Sequence, residues 1–162
     1  MRRESVMIAM AVLLSPLLFG QSQGSKSVKA MQQRTTKVVS VSQPTRVSGE
    51  GRSTPSGVKY WDIQAGDGKV AERAHAVKVV YKAWVESGKE FASSITDGKP
   101  SIFTLGAGQV IRGWEEGVEG MKVGGKRQLR IPPELAYGSA GVTSLVPPNA
   151  TLIYDVELLG VE

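Results

Sequence analysis

Two stretches of alternation constrain this chain more than any other feature. Residues 76–86 read AVKVVYKAWVE, and the last thirteen residues read ATLIYDVELLGVE. In the first, Val77, Val79, Tyr81, Ala83 and Val85 fall on one side, while Lys78, Lys82 and Glu86 fall on the other with Val80 and Trp84 among them. In the second, Leu152, Tyr154, Val156 and Leu158 oppose Thr151, Ile153, Asp155 and Glu157. A side-chain period of two sustained over this length predicts long strands with one face buried. Shorter stretches of the same kind occur in VKYWDIQ, EFASS, SIFTLG and KRQLRI, with Leu129 and Ile131 inward in the last. Ser87-Gly88-Lys89 predicts a hairpin turn after the first long strand, and Asp67-Gly68 is another turn pair.

Only one segment carries helical spacing. Ile111, Trp114, Val118 and Met121 recur at three, four and three residues, one face of a helix of about two turns. Gly120 lies where a C-terminal cap belongs. Several antiparallel strands with one short helix predict an α+β domain, a sheet wrapped over that helix.

The part before residue 57 has a different character. Arg2 and Arg3 precede an apolar run from Val6 to Gly20, and small residues follow at Ser22 and Gly24. Such a run is shorter than the roughly 20 residues of a membrane span and fits a secretory leader. Residues 1–24 are therefore expected to be a signal peptide, with an uncleaved membrane anchor as the alternative. Residues 25–56 are rich in Ser, Thr, Gln, Lys and Gly and lack aromatic side chains. They bury too little apolar area to offset ordering entropy and are expected to be a disordered basic linker, with a possible short edge strand at residues 37–41. The domain is expected over 57–162.

Charge and inventory exclude several chemistries. Residues 1–55 carry eight Lys/Arg and two Asp/Glu, whereas residues 56–162 carry twelve and thirteen. The net +5 of the chain thus belongs to its leader and tail, and no basic stripe marks the domain as a nucleic-acid reader. With no cysteine, thiol catalysis and thiolate metal sites are out. His75 is the only histidine, in the charged turn AERAHA, and is expected to be exposed and idle. Glu115, Glu116 and Glu119 fall on the polar face of the helix, where nothing raises a carboxyl pKa as a general acid requires. Gly120 to Lys126 satisfies G-x-x-x-x-G-K, but Arg127 stands where Ser or Thr must hold magnesium, and the helix precedes the strand instead of following it. That segment is expected to be a turn with Gly124 and Gly125 at positive φ. Neither a metal nor a cofactor is expected.

What remains is a set of rings beside loops rich in small residues. Tyr60, Trp61, Tyr81, Trp84, Phe91, Phe103, Trp114, Tyr137 and Tyr154 all lie in the domain. The loop from Tyr137 to Pro148 is long enough to wall an apolar cleft. Core packing is the plainer reading for most of these rings, Trp84 and Phe103 included.

Four blocks then carry a resemblance, in order: G-Q-V-I-R-G-W-E-E-G-V-E-G-M, V-G-G-K-R, I-P-P-E-L-A-Y-G and V-P-P-N-A-T-L-I-Y-D-V-E-L-L. Over residues 56–162 the chain resembles the FKBP-type peptidyl-prolyl isomerases. The resemblance implies a half-wrapped antiparallel sheet of five or six strands around a short helix. It implies catalytic positions at Tyr81, Phe91, Trp114, Tyr137 and Tyr154, with Trp114 as the floor of a pocket. It also implies substrate contacts at Gln109 through its carbonyl, at Ile111 through its N–H, and at Val110, Leu145 and Val146.

Four positions depart from the family's pattern. The family's Asp after the pocket Phe is Ala92, an aromatic is replaced by Ser101, a basic residue by Asp97, and a loop His by Val142. The Asp matters most, because it accepts a hydrogen bond from the tyrosine at position 81. Its loss implies a less polar pocket and weakened binding of macrolide immunosuppressants. The implied activity is cis–trans isomerisation of X-Pro bonds in proline-containing peptides and unfolded exported proteins. The alternative is a proline-binding, chaperone-like module that is weak or silent as a catalyst because of Ala92. A monomer exported to a periplasm is expected, with a thylakoid lumen or a membrane-anchored form as alternatives, and no contact with nucleic acid. Membrane contact is expected only through an uncleaved leader.

Overall fold

The structure is a computed structural model that describes residues 43–162. The expected leader, the linker as far as residue 42 and the edge strand at 37–41 lie outside the described residues. Seven strands and one helix follow in order: β1 (Arg52–Ser53), β2 (Lys59–Gln64), β3 (Ala76–Val85), β4 (Glu90–Ser93), β5 (Ser101–Thr104), α1 (Arg112–Val118), β6 (Lys126–Ile131) and β7 (Leu152–Val161). The strands form one antiparallel sheet in the order β1-β2-β6-β7-β3-β4, with β5 also on β3.

The two alternating stretches are the centre of this sheet. β3 and β7 pair along their whole length, from Val77 opposite Val161 to Val85 opposite Leu152. Their inward residues are buried: Val77, Val79, Ala83 and Val85 on β3, and Leu152, Tyr154, Val156 and Leu158 on β7. β4 and β5 share the outer edge of β3, with β5 against residues 76–79 and β4 against residues 82–84. The sheet is therefore six strands wide, at the upper end of what the sequence implies.

Helix α1 crosses the concave face and buries Trp114 and Val118 there. Its seven residues are too few to hold a helix in water without tertiary support. The support is β6: a Cβ on Gly113 would lie 2.2 Å from Ile131 Cγ2, and one on Gly117 would lie 2.6 Å from Leu129 Cδ1. Glycine lets the helix backbone touch the strand's side chains directly. Gly120 does not cap the helix as expected. Glu119 (φ −55°, ψ 132°) has already left helical geometry. Gly120 (φ +81°) then occupies the third place of a type II turn closed by Met121 N–H to Val118 O, 3.0 Å.

Arg127, the residue that spoils the phosphate-loop pattern, has a structural role. It is buried, its Nε donates to Asp62 at 2.6 Å, and its Nη1 donates to the Gly117 carbonyl at 2.9 Å. A carbonyl of the last helical turn, otherwise orphaned, thus gains a charged donor. The guanidinium also lies over the Tyr60 ring, 4.3 Å from its centroid. In the adjoining turn Gly124 has the expected positive φ of 85°, but Gly125 does not. Gly125 is needed for space instead, since a Cβ there would sit 2.8 Å from the Lys122 carbonyl.

Two further expectations are corrected. Residues 43–56 are not a free linker. Thr45 donates to Asp155 through its N–H (2.8 Å) and its hydroxyl (2.7 Å), Gln128 Nε2 donates to the Thr45 carbonyl (2.6 Å), and Arg52–Ser53 pairs with β2. Hydrogen bonding to the sheet offsets an entropy cost that composition alone leaves unmet. His75 is half-buried instead of exposed, and its Nδ1 is buried without a partner.

Candidate active site

The cleft is built where β3 changes partners. Between the β5-paired and β4-paired parts of β3, Ser94 binds the strand directly. Tyr81 N–H donates to Ser94 Oγ at 2.8 Å, and Ser94 N–H donates to the Tyr81 carbonyl at 3.0 Å. Tyr81 is thereby fixed at the lip of the sheet. Across from it, the loop from Leu105 to Ile111 delivers the helix. The Gln109 side chain accepts the Thr104 N–H at 2.8 Å, and Glu115 accepts the Gly108 N–H at 2.8 Å. The glutamates of the polar helix face therefore act as tethers. Glu116 likewise accepts hydrogen bonds from Arg112, Thr54 and Ser56.

Between these elements lies a hollow of about 330 Å³, lined by Tyr81, Ser101, Phe103, Gln109, Val110, Ile111, Trp114, Tyr137 and Tyr154. Trp114, 4 % exposed, is its base. Three rings meet the indole edge-on: Tyr81 at 4.9 Å between centroids and 85°, Tyr154 at 5.2 Å and 87°, and Phe103 at 5.6 Å and 62°. Such contacts favour the edge-to-face geometry of aromatic quadrupoles and hold the indole plane in one orientation. Ile111 opens the helix, so its N–H has no intrahelical acceptor. Tyr137 follows the short 3-10 turn Pro133–Leu135 and is 36 % exposed at the rim.

Burial raises the Tyr154 phenol well above its ordinary value, and the neighbouring Tyr137 and Tyr81 add to the rise. Tyr81 is raised as well, by burial first and then by the negative charge of Asp97, against a hydrogen bond from Ser101 that works the other way. Both phenols are therefore neutral donors at ordinary pH, and nothing in the cleft suits a nucleophile or an acid–base pair.

Seven of the ten residues expected from the sequence line this hollow: Tyr81, Trp114, Tyr137, Tyr154, Gln109, Val110 and Ile111. Three do not. Phe91 meets the Tyr154 ring edge-to-face, 6.0 Å between centroids and 85°, and is not among the residues around the hollow. Val146 is buried in the core, turned in by the close of its loop, where Val142 N–H donates to Val146 O at 2.8 Å. Leu145 stands 47 % exposed on the same loop. Two lining residues were not among those ten. Phe103, expected in the core, is both buried and a wall, since it packs on the indole floor. Ser101 departs from the family's pattern, and its place one residue before an exposed Ile102 gives no periodic signal.

Volume alone does not select this hollow. A larger one, about 460 Å³, lies between residues 46–52 and β2, lined by Arg46, Arg52, Asp62 and the edge of Trp61. Its walls mix charges, and Arg52 is already paired with Asp62 at 3.6 Å.

A half-wrapped sheet holding an indole-floored aromatic cleft against one short helix defines the class of the protein, and the comparisons agree. Residues 68–159 match the family described as FKBP-type peptidyl-prolyl cis-trans isomerase. The FK506-binding protein of Neisseria meningitidis serogroup A is 51 % identical over 100 residues, covering 62 % of this chain and 92 % of that one. The FKBP-type peptidyl-prolyl cis-trans isomerase FkpA of Escherichia coli is 47 % identical over 111 residues, 68 % of this chain and 40 % of that one. Its crystal structure superposes with a TM-score of 0.65 at 46 % identity, covering 71 % of this chain and 53 % of the solved chain, so this chain spans about half or less of FkpA's length. The crystal structure of AtFKBP13 gives 0.64 at 40 % identity, 68 % and 97 %. The chain belongs to the FKBP-type peptidyl-prolyl cis-trans isomerases.

Proposed function

We propose that this protein accelerates rotation about X-Pro bonds of exported polypeptides by seating the proline on the Trp114 indole. The uncatalysed barrier of about 18–20 kcal/mol comes from amide resonance, which keeps the peptide bond planar. A water-poor aromatic cleft disfavours the charge-separated planar form and accepts the twisted one. No bond needs breaking, so the absence of nucleophile and base is consistent with the task. In this reading Trp114 is the floor, Tyr81, Phe103 and Tyr154 are walls, and Val110 and Ile111 close the helix side. The Ile111 N–H and the Tyr137 O–H hold the carbonyls flanking the proline. Gln109 lines the hollow beside Val110, Phe91 and Leu145 lie at its margins, and Val146 supports the loop from the core. Acceleration of about 10⁴ to 10⁶ requires only roughly 5.5–8 kcal/mol of differential stabilisation.

The observation that carries the proposal is the convergence of three rings edge-on upon one buried indole at the base of an open hollow. Ser101 supports turnover despite Ala92, because it brings a hydroxyl to the wall of the hollow that Tyr81 also lines. Export is supported by the apolar run Val6 to Gly20 behind an Arg pair, and the FKBP13 of Arabidopsis thaliana is described as chloroplastic.

A peptide isomerisation assay with an X-Leu-Pro-Phe substrate tests the reading. The wild type should accelerate relaxation, Tyr137→Phe should lower kcat/KM about three- to tenfold, the equivalent of one hydrogen bond, and Trp114→Ala should abolish it. Trp114→Ala also empties a core site and should cost about 3–5 kcal/mol in urea unfolding. Peptide binding without acceleration by the wild type would leave a proline-binding module instead.

A further inference from the structure

Helix α1 brings the Trp114 indole and the Ile111 N–H to the cleft, yet little in its own sequence holds it still. It has seven residues, no side-chain cap at its N-terminus, and glycine at positions 113 and 117. Those glycines press it on Ile131 and Leu129 of β6, and Arg127 of the same strand takes the Gly117 carbonyl at 2.9 Å. All of these attachments lie on one side. Tilt away from β6 is opposed there only by the packing of Trp114. The outer side is held by Glu116. Its side chain is 18 % exposed although it belongs to the polar face, whereas its i,i+4 partner Arg112 is 72 % exposed. A carboxylate withdrawn from water to this degree needs donors, and it has three. Arg112 Nε donates to Oε1 at 3.2 Å, Thr54 Oγ1 donates to Oε2 at 3.1 Å, and Ser56 Oγ donates to that same oxygen.

The Arg112 bond runs within the helix and cannot position it. The two hydroxyls belong to the turn between β1 and β2, more than half the domain away in sequence. Bonds to an ionised acceptor are the stronger kind. The turn is also a firm anchor. Thr54 N–H donates to Val58 O at 2.9 Å, Gly57 N–H to Thr54 O at 3.1 Å, and Val58 N–H to Thr54 Oγ1 at 3.1 Å. Val58 is fully buried, and β2 begins at the next residue. The Thr54 hydroxyl therefore accepts from the anchored backbone and donates to the helix, as a hydroxyl can do at once.

We propose that Glu116 is a positioning residue, clasped by the Thr54–Ser56 turn, that fixes α1 and with it Trp114 and Ile111 in the place turnover requires. This rests on the isomerase reading of the cleft. Neither Glu116 nor Thr54 lines the hollow, so both act through the helix and not on substrate. The residues just before β2 are in this way part of the working domain, although no strand or helix of the cleft contains them. The clasp is closed by its own bonds and does not depend on the attachment of Thr45 to Asp155.

A double-mutant cycle on the full chain tests the clasp, with Thr54→Val, Glu116→Ala and the double variant assayed on the X-Leu-Pro-Phe peptide well below their thermal midpoints. Thr54→Val keeps the shape of the side chain and removes its hydroxyl. It should lower kcat/KM about three- to tenfold, as loss of one hydrogen bond to a charged group does, and Thr54→Ser should restore the wild-type value. The double variant should be no slower than Glu116→Ala, because Thr54 acts through Glu116. The Trp114 amide, bonded to the Ile111 carbonyl at 2.9 Å, should exchange its hydrogen several-fold faster in Thr54→Val, while the Tyr154 amide in the sheet keeps its wild-type rate. A folded Thr54→Val with a lower midpoint but unchanged kcat/KM overturns the proposal, since a merely structural bond behaves so. Losses that multiply in the double variant overturn it too. Should Glu116→Ala not fold, the Thr54→Val and Thr54→Ser pair decides alone. A wild type without turnover would sink the isomerase reading separately. The exchange rate of the Trp114 amide, which needs no turnover, would then decide the clasp.

Discussion

At the residue scale, the site depends on neutral phenols held in a dry wall. Tyr154 binds its proton more tightly folded than unfolded, where the ordinary value is 10.0. Below that pH the phenol is protonated in both states and its contribution to stability is complete. Above it, the unfolded state releases a proton that the folded state keeps, so stability falls as pH rises. The slope for one such group is about 1.4 kcal/mol per pH unit. Urea unfolding of wild type and Tyr154→Phe between pH 9 and 11.5 should diverge above about pH 10, with the variant shallower by roughly that amount; parallel curves would mean the phenol is not buried as described. The ring positions themselves were legible. Tyr81 and Tyr154 show their inward direction by alternation, and Trp114 shows its face by helical spacing. Ser94 was not legible, because a hydroxyl that accepts the backbone N–H of a neighbouring strand follows no period, and Ser101 lines the hollow as a small polar residue without any apolar signal. The side on which a ring is seen by ligand also has no sequence signal: Phe91 and Phe103 read alike, and the structure sets the first on Tyr154 and the second on the indole floor.

At the scale of elements, α1 shows two effects in opposition. Alanine in place of a mid-helix glycine ordinarily stabilises by about 1 kcal/mol through propensity. At Gly117 the added methyl meets Leu129 at 2.6 Å, and at Gly113 it meets Ile131 at 2.2 Å. Overpacking of a filled core costs about 1–3 kcal/mol, so contact should win. Gly117→Ala is expected to lower stability by about 1–2 kcal/mol in urea unfolding. It should also reduce kcat/KM, because any retreat of the helix from β6 moves Trp114 and Ile111 together; a more stable variant would show that propensity dominates. The period of apolar residues locates this helix in the sequence but says nothing of which strand it meets. Glycines four apart therefore read as breakers there, although they are the contact surface. The structural role of Arg127 was hidden for a related reason: a motif is read along the chain, whereas its guanidinium acts across the fold, on Asp62 and the Gly117 carbonyl.

At the scale of the molecule, both faces of the sheet carry a packed segment, and only one of the two was visible in the sequence. The helix takes the concave face. The segment from Thr45 takes the other, meeting the outward side chains of Gln128 and Asp155. Its composition is that of a linker, so its order comes from hydrogen bonds to groups 83 and 110 residues away. Asp155 is the hub: it accepts the Thr45 N–H, the Thr45 hydroxyl and Gln128 Nε2. Asp155→Ala removes all three bonds and leaves Gln128 with the Thr45 carbonyl alone. Each bond is individually modest, about 0.5–1.5 kcal/mol net, and exposure of the site to solvent screens the charge further. The segment should therefore loosen by local opening, with the sheet intact. Limited proteolysis of Asp155→Ala is expected to cut near Arg46 and Arg52 several-fold faster than in the wild type. The kcat/KM for peptide should stay unchanged, because Asp155 points away from Tyr154 on alternate sides of the same strand. A fall in kcat/KM would instead mean that the arm sets the strand's position beneath the cleft.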